Sequence, residues 1–165
     1  MSKEDSAVSI DDPRELDYLY NQADRIYSTF ARRCGLSPCA YWMMYEMVQE
    51  SQAVPVRDLT SRWSYSKQTV NSALQTLTTK GLCGLDFVEG SKKNKAISLT
   101  CEGMRFAERY VMPAIEAERR AFLTLPAKTR ALLLEATRAY TQALGEALAG
   151  ELEGIGDEQN EGGAA

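Results

Sequence analysis

Residues 66–81 read SKQTVNSALQTLTTKG, and this stretch decides how the chain folds. Ser66 is a favourable N-cap, because its hydroxyl can accept a hydrogen bond from a backbone N–H of the first helical turn. Gly81 stands where a left-handed C-cap residue belongs. Three apolar residues between them recur at helical spacing: Val70, Leu74 and Leu77. The pattern predicts a helix from about Lys67 to Lys80 that is buried along one narrow stripe.

A shorter helix is predicted just before it, over Val56 to Trp63, with a turn at Ser64-Tyr65. A short helix, a tight turn and a well-capped second helix form the unit that places one helix in the major groove of DNA. No acidic residue lies between Ser64 and Lys80. Amide and hydroxyl side chains can bond base edges, so we expect Gln68, Thr69 and Asn71 to read bases. A neutral surface helix that contacts nothing is the alternative.

A β-hairpin is predicted directly after this helix. Residues 82–88 and 96–99 alternate apolar and polar side chains, as half-buried strands do. The inward residues are expected to be Leu85, Phe87, Ile97 and Leu99. The connecting loop carries Lys92, Lys93 and Lys95. Lysines at a loop tip are commonly just solvated, but after a candidate recognition helix they indicate a wing that contacts the minor groove or the backbone.

Charge is segregated along the chain. The net charge is −4, yet the segment from Arg57 to Lys95 holds seven basic and three acidic residues, a net +4, so the remainder carries −8. Only the middle of the chain is suited to phosphates.

The flanking segments predict helices. Residues 12–35 carry one apolar stripe between the start signal Asp12-Pro13 and Gly35, and a central, mostly apolar helix follows Ser37-Pro38. Thr100 begins a helix to about Phe122 that Pro113 should kink, and another runs from Pro126 to about Glu153. Residues 1–11 are expected to form a flexible arm and 154–165 a disordered acidic tail.

Several classes of function are disfavoured. The chain has no histidine, so Ser-His-Asp and Cys-His nucleophile arrangements are impossible. Its four cysteines show no CxxC pair, and no phosphate-binding glycine motif occurs. We expect neither an enzyme nor a bound metal or cofactor. No secretory signal or membrane span is visible, so a cytoplasmic protein without membrane contact is expected.

These residues resemble the multiple-antibiotic-resistance regulator (MarR) family of bacterial winged-helix repressors. The resemblance covers about residues 14–150. It is carried by Leu59 with SKQTVN (66–71), by Leu77 followed by Lys80-Gly81-Leu82, and by ISLT (97–100) with Glu102-Gly103. At the wing tip, Ser91-Lys92-Lys93 stands where the family has an Asp-Arg-Arg-like run.

The resemblance implies a mainly α protein with a small β-hairpin wing. Residues 36–100 would be the winged helix-turn-helix DNA-binding domain, and 12–35 with 101–153 would form the dimerisation helices of a homodimer. A two-fold dimer places its recognition helices about 34 Å apart and requires a near-palindromic operator in double-stranded DNA. The expected DNA-binding residues are Arg57, Arg62, Ser64, Ser66, Lys67, Gln68, Thr69, Asn71, Ser72, Gln75, Lys92, Lys93 and Lys95.

The resemblance also implies a cleft for a small aromatic or amphipathic ligand. Its expected lining residues are Tyr20, Tyr27, Trp42, Tyr45 and Met112, although an aromatic cluster at helical spacing is more commonly core packing. A repressor released by a small molecule is the favoured function. Redox sensing through Cys34 or Cys39 is one alternative, and a winged-helix module that binds an acidic protein instead of DNA is another.

Overall fold

A computed structural model describes residues 12–50, 53–63, 65–88 and 94–161 of the chain, with side chains up to residue 152. The predicted arm at residues 1–11 therefore lies outside the described residues. The helices are α1 (Arg14–Arg33), α2 (Pro38–Glu50), α3 (Val56–Trp63), α4 (Lys67–Thr79), α5 (Cys101–Phe106), α6 (Met112–Leu123) and α7 (Ala127–Glu161), with a π-helical turn at Ala107–Val111.

Three strands form one antiparallel sheet: β1 (Val54–Pro55), β2 (Cys83–Phe87) and β3 (Lys95–Leu99), in the order β1-β3-β2. The hairpin β2-β3 was predicted, and its register pairs Leu85 with Ile97. The strand β1 was predicted only as an extended link. It is a strand because Val54 pairs with Ile97 on the free side of β3.

The core of the first part of the chain is built around α2. Six residues of this helix are buried together with the apolar stripe of α4, as its composition predicted. Leu59 of α3 and Ile97 of β3 are also enclosed. The core thus joins both helices of the helix-turn-helix unit to the sheet.

Two glycines end helices in the same way. Gly35 and Gly81 have φ values of 76° and 68°, the left-handed conformation that glycine adopts without a steric penalty. After α4, Leu82 N donates to Leu77 O at 2.9 Å and Gly81 N donates to Thr78 O at 2.9 Å. This is the Schellman arrangement, and it confirms the predicted end of α4.

The start of α5 is tied to the end of α4. Thr100 Oγ1 donates to Gly81 O at 2.6 Å and accepts from Gly103 N at 2.9 Å, and Thr100 N donates to Leu82 O at 3.2 Å. Gly103 packs directly on the backbone of Leu82: a Cβ there would overlap the Leu82 carbonyl oxygen and lie 2.8 Å from its carbon. Glycine is required at position 103 because the backbone of α5 lies so close to that of Leu82, and not because of an unusual φ angle.

Two sets of apolar residues, on α1 and on β2, are less buried within a single chain than their periodicity alone predicts. The apolar stripe of α1 is largely exposed, with Leu19, Tyr20 and Ile26 facing solvent, because only the end of α1 near Ala31 reaches the core. Leu85 and Phe87 were expected to point inward but are exposed, because β2 runs past the edge of the core.

The helix after Thr100 is interrupted before Pro113 rather than simply bent at it. Proline lacks an N–H and its ring clashes with the carbonyl four residues earlier, so the ladder cannot continue regularly there. The chain accommodates this with the π-helical turn Ala107–Val111, after which α6 begins at Met112.

The chain divides into two compact units, one up to Ile115 and one from Glu116 onward. The second unit contains α7, which was predicted to end near Glu153 but continues to Glu161. Residues 154–161, predicted as part of a disordered tail, are therefore within the bounds of this helix. Glycine costs a helix about 1 kcal/mol but keeps its N–H, so it does not stop the ladder as proline does. Residues 162–165 lie outside the described part.

Candidate nucleic-acid interface

The outward face of α4 is polar, exposed and free of acid. Its exposed side chains are Lys67, Gln68, Thr69, Asn71, Ser72 and Gln75. Among the residues that the structure describes, the side-chain amides of Gln68, Asn71 and Gln75 make no hydrogen bond. Amides that are exposed and not engaged within the chain can pair with base edges at no cost in internal bonds.

The first turn of α4 is held by Ser66. Its Oγ accepts from Thr69 N at 3.1 Å and lies 2.9 Å from Thr69 Oγ1. The predicted cap is confirmed, and both hydroxyls of this pair are occupied within the turn. Base reading by Thr69 would require it to exchange this bond. Ser64, also predicted to contact DNA, lies outside the described residues.

A cleft of about 310 Å³ lies beside α4 and contains basic residues from three elements. Arg57 comes from α3, Lys67 from the first turn of α4, and Lys95 from β3. Asn71 lines the same cleft, so one predicted base reader adjoins three basic residues that were predicted to bind DNA. We call this the cationic cleft; Val56, Thr60, Val70 and Asn94 complete its lining.

The cations of the cleft are available to a ligand. The Nε atom of Arg57 lies 3.3 Å from Asp58 Oδ1. This ion pair joins two exposed neighbouring residues, so it contributes little to stability. Within the described chain, Lys67 forms no ion pair and Lys95 has only an aromatic contact. Positive charges from three elements line one cleft, so they attract an anion such as a phosphate more strongly than isolated surface lysines do.

Arg62 stands apart from the cleft. Its Nη1 donates to Glu50 at 2.6 Å and to Glu46 at 2.7 Å, and these hydrogen bonds raise the pKa of the guanidinium above its usual value. Trp63 Nε1 donates to Glu46 at 3.0 Å. Arg62 was predicted to contact DNA. In the structure its guanidinium is bonded to two carboxylates of α2, and these bonds connect α3 to α2.

Sequence reasoning missed two polar residues of the cleft, Thr60 and Asn94, because no periodic pattern marks them. Lys92 and Lys93, the predicted wing-tip contacts, lie outside the described residues. The hairpin is described as far as the hydrogen bond from Val88 N to Asn94 O, at 2.8 Å. Lys95 is thus the predicted wing lysine whose position is described.

Solved structures share this architecture. NMB1585, a MarR family regulator from Neisseria meningitidis, superposes with a TM-score of 0.72 at 20% identity, covering 84% of this chain and 97% of that one. The transcription regulator MarR from Oenococcus oeni PSU-1 gives 0.64 at 18%, covering 78% and 97%. The chain has the MarR fold. The expected fold class, mainly α with a small β-hairpin wing, is therefore confirmed.

A third match is the PcaV transcriptional regulator from Streptomyces coelicolor in complex with its natural ligand, with a TM-score of 0.58 at 15% identity, covering 87% of this chain and 99% of that one. No protein-family model matches the chain, and no curated protein matches its sequence. The MarR fold is thus established here by structure, through matches of low sequence identity.

An aromatic cluster lies beside α3 in this MarR-fold unit. Trp42 is at its centre, 4.2 Å from the ring centroid of Trp63 in a stacked pair, 4.7 Å from Tyr27 and 5.2 Å from Tyr45. Three of the predicted ligand-lining residues therefore belong to one cluster, in which Tyr27 and Tyr45 both contact Trp42. The other two, Tyr20 and Met112, are exposed. Sequence reasoning did not include Trp63, whose ring stacks on Trp42, among the lining residues.

Thiol chemistry is limited by burial. Burial raises the pKa of Cys39 and of Cys83 to about 11 and also raises the pKa of Cys34. All four cysteines are free, and Cys101 is exposed. A thiol with a raised pKa is a poor nucleophile at neutral pH, which weighs against redox sensing at Cys39.

This burial leads to a labelling prediction. With iodoacetamide at neutral pH, Cys101 should be alkylated first in the native protein, and Cys39 and Cys83 only after unfolding. Unfolded thiols ionise near the ordinary pKa of 9.0, so the stability gained from burying them protonated should be lost as pH rises from there towards 11. Peptide mass spectrometry would follow the labelling; alkylation of native Cys39 as fast as Cys101 would contradict the prediction.

Among the described residues, no group of three or more cysteine, aspartate and glutamate side chains is arranged to hold a metal ion. No helix in the described ranges has the length and apolar character needed to cross a membrane.

Proposed function

We propose that this chain is a sequence-specific, double-stranded DNA-binding transcriptional regulator that acts as a homodimer. The observation that carries the proposal is the cationic cleft, which lies against the outward face of α4 and shares Asn71 with it. Regulators of transcription with the same fold support the same conclusion.

The chemistry of the side chains assigns them two different roles in DNA binding. Arg57, Lys67 and Lys95 would neutralise backbone phosphates and so supply affinity without sequence preference. Gln68 and Asn71, whose amides are not engaged within the described chain, would bond base edges in the major groove. The positive end of the α4 dipole, adjacent to Lys67, adds to phosphate binding.

The homodimer is supported by apolar side chains that a single chain leaves exposed. On α1 these include Tyr18, Leu19 and Ile26; on α7 they include Leu132, Leu148 and Leu152. Such a quantity of exposed apolar surface on two helices is typical of a protein interface. With two-fold symmetry, the paired α4 helices would require a near-palindromic operator.

We further propose that the regulator is a repressor that a small aromatic or amphipathic ligand releases from DNA. PcaV, which has the same fold, was solved with its natural ligand. In the present chain, the ring cluster around Trp42 reaches α3 through Trp63 and connects α1 with the helix-turn-helix unit. A ligand that separates these rings would therefore also move α3.

The test is selection of duplexes from a random library by the purified protein, followed by binding assays over a series of salt concentrations. Asn71→Ala should change the selected sequence, because a bidentate contact contributes about 1–3 kcal/mol of discrimination between bases. Lys95→Ala should select the same sequence with weaker, less salt-sensitive binding.

Two outcomes would contradict the proposal. If the wild-type protein selects no sequence and its DNA binding is negligible, the alternative of a protein-interaction module is favoured. If Asn71→Ala and Lys95→Ala behave alike, the assigned division between base reading and phosphate binding is wrong.

A further inference from the structure

One row of apolar residues on β2 leaves the core and continues into solvent. Cys83 is 4% exposed, Leu85 36% and Phe87 59%, so exposure rises along the strand towards the wing. Alternate residues of a strand share a face, and these three therefore form a continuous strip that begins in the core. An exposed phenylalanine at the end of such a strip contributes little to folding.

Phe87 is directly opposite a cation of the cationic cleft. The register pairs Phe87 with Lys95, and Lys95 Nζ lies 6.0 Å from the centroid of the Phe87 ring. Cross-strand partners project on the same face, and an ammonium over a ring at this distance is a cation–π contact. The same lysine lines the cleft beside Asn71. The ring and the cleft thus form one continuous surface, joined through Lys95.

We propose that Phe87 is a DNA-contacting residue of the wing. This inference rests on the proposed DNA-binding function and adds a residue that neither the charge pattern nor the resemblance indicated. The ring packs against deoxyribose and the minor-groove wall, while Lys95 on its face contacts the adjacent phosphate. Apolar side chains at such positions are a recurring means of minor-groove contact.

DNA is the occupant that the surroundings favour. The charged residues that line the cleft, Arg57, Lys67 and Lys95, are all basic, so this surface attracts phosphates. An apolar protein surface, including a second copy of this chain, would have to bury Lys95 without a described acidic partner, which is costly. A DNA strand, in contrast, presents a sugar next to a phosphate, and these suit an apolar ring beside an ammonium group.

The experiment measures binding of a fluorescent duplex selected by the wild-type full chain, over a series of salt concentrations. Phe87→Ala should raise Kd about tenfold, because the ring can no longer be buried, while the salt slope stays within about half a unit. Phe87→Tyr retains the ring and should stay within about threefold of wild type. Val88→Ala, the adjacent apolar truncation on the opposite face, is the matched control and should bind as wild type.

Thermal unfolding and sedimentation of each variant accompany the assay. Unchanged DNA affinity of Phe87→Ala, with wild-type binding intact, would overturn the inference and leave the proposed function standing. A change of oligomeric state in Phe87→Ala would overturn it in favour of an interface between copies. If Phe87→Ala proves unstable, loss of affinity in Phe87→Leu at wild-type melting temperature supports the ring contact, and retained affinity overturns it. Absence of selective DNA binding by the wild type would overturn the proposed function itself.

Discussion

Gly103→Ala is expected to destabilise the chain by about 3 kcal/mol, the largest effect of any substitution considered for the fold. The added methyl group would overlap the Leu82 carbonyl oxygen, and backbone cannot move aside as a flexible side chain can. The same contact region holds the hydrogen bonds of Thr100 to Gly81 and to Gly103. Relieving the overlap would therefore separate α5 from the end of α4.

The measurement is chemical denaturation of the wild type and the variant, with DNA binding assayed in parallel. Because α4 ends at this junction, Gly103→Ala should also weaken DNA binding even where it is still folded. Gly150→Ala is the matched control: Gly150 is also a helical glycine, a Cβ there meets nothing within 4 Å, and helical spacing places it away from the face of Leu148 and Leu152. It should gain up to about 1 kcal/mol from helix propensity. Equal stability of Gly103→Ala and wild type would contradict the close approach at Leu82.

Removing two cations of the cationic cleft with Arg57→Ala and Lys95→Ala is expected to weaken DNA binding about 100-fold near physiological salt. In a homodimer the double variant lacks four cations. Each neutralised phosphate contributes about 0.9 to the slope of log K against log salt, so the slope should fall by roughly 3 to 4 units. Fluorescence anisotropy with a duplex selected by the wild type measures both quantities.

Arg62→Ala is the contrasting variant. Arg62 lies on the same short helix as Arg57, but Glu46 and Glu50 already pair with its guanidinium. Its removal should lower the melting temperature by loosening α3 from α2, with much less change in the salt slope than the Arg57 and Lys95 pair produces. Arg62→Ala could instead lower the salt slope by half as much as the Arg57 and Lys95 double variant does. Arg62 would then leave its carboxylates to bind phosphate, and the assignment of the cleft would be wrong.

Features that depend on a few neighbouring residues were predictable from the sequence. The Ser66 cap and the Gly81 terminus bound α4 correctly, because capping and left-handed φ are decided within one turn of the chain. The stripe of Val70, Leu74 and Leu77 was predicted as buried, because helical spacing alone places these residues on one face. The resemblance extended these local signals to the whole winged-helix fold.

Other features required contacts between distant segments. The strand β1 exists only through pairing with β3, which lies some forty residues further along the chain. The stripe of α1 satisfied every rule for burial, yet a single chain leaves much of it exposed, because periodicity identifies an apolar face but not what covers it. The same limit applies to Phe87, whose alternation predicted an inward side chain.

By itself, therefore, the sequence determined where α4 begins and ends, which side of it is buried, and which side is polar and free of acid. Only the tertiary structure decided which basic residues stand beside that polar side: Arg57 and Lys95 join Lys67 in the cationic cleft, while Arg62 is paired with two glutamates of α2. The physical reason is the distance along the chain over which each effect acts. Capping and periodicity act within one or two helical turns, whereas the position of a charge depends on how separate elements pack.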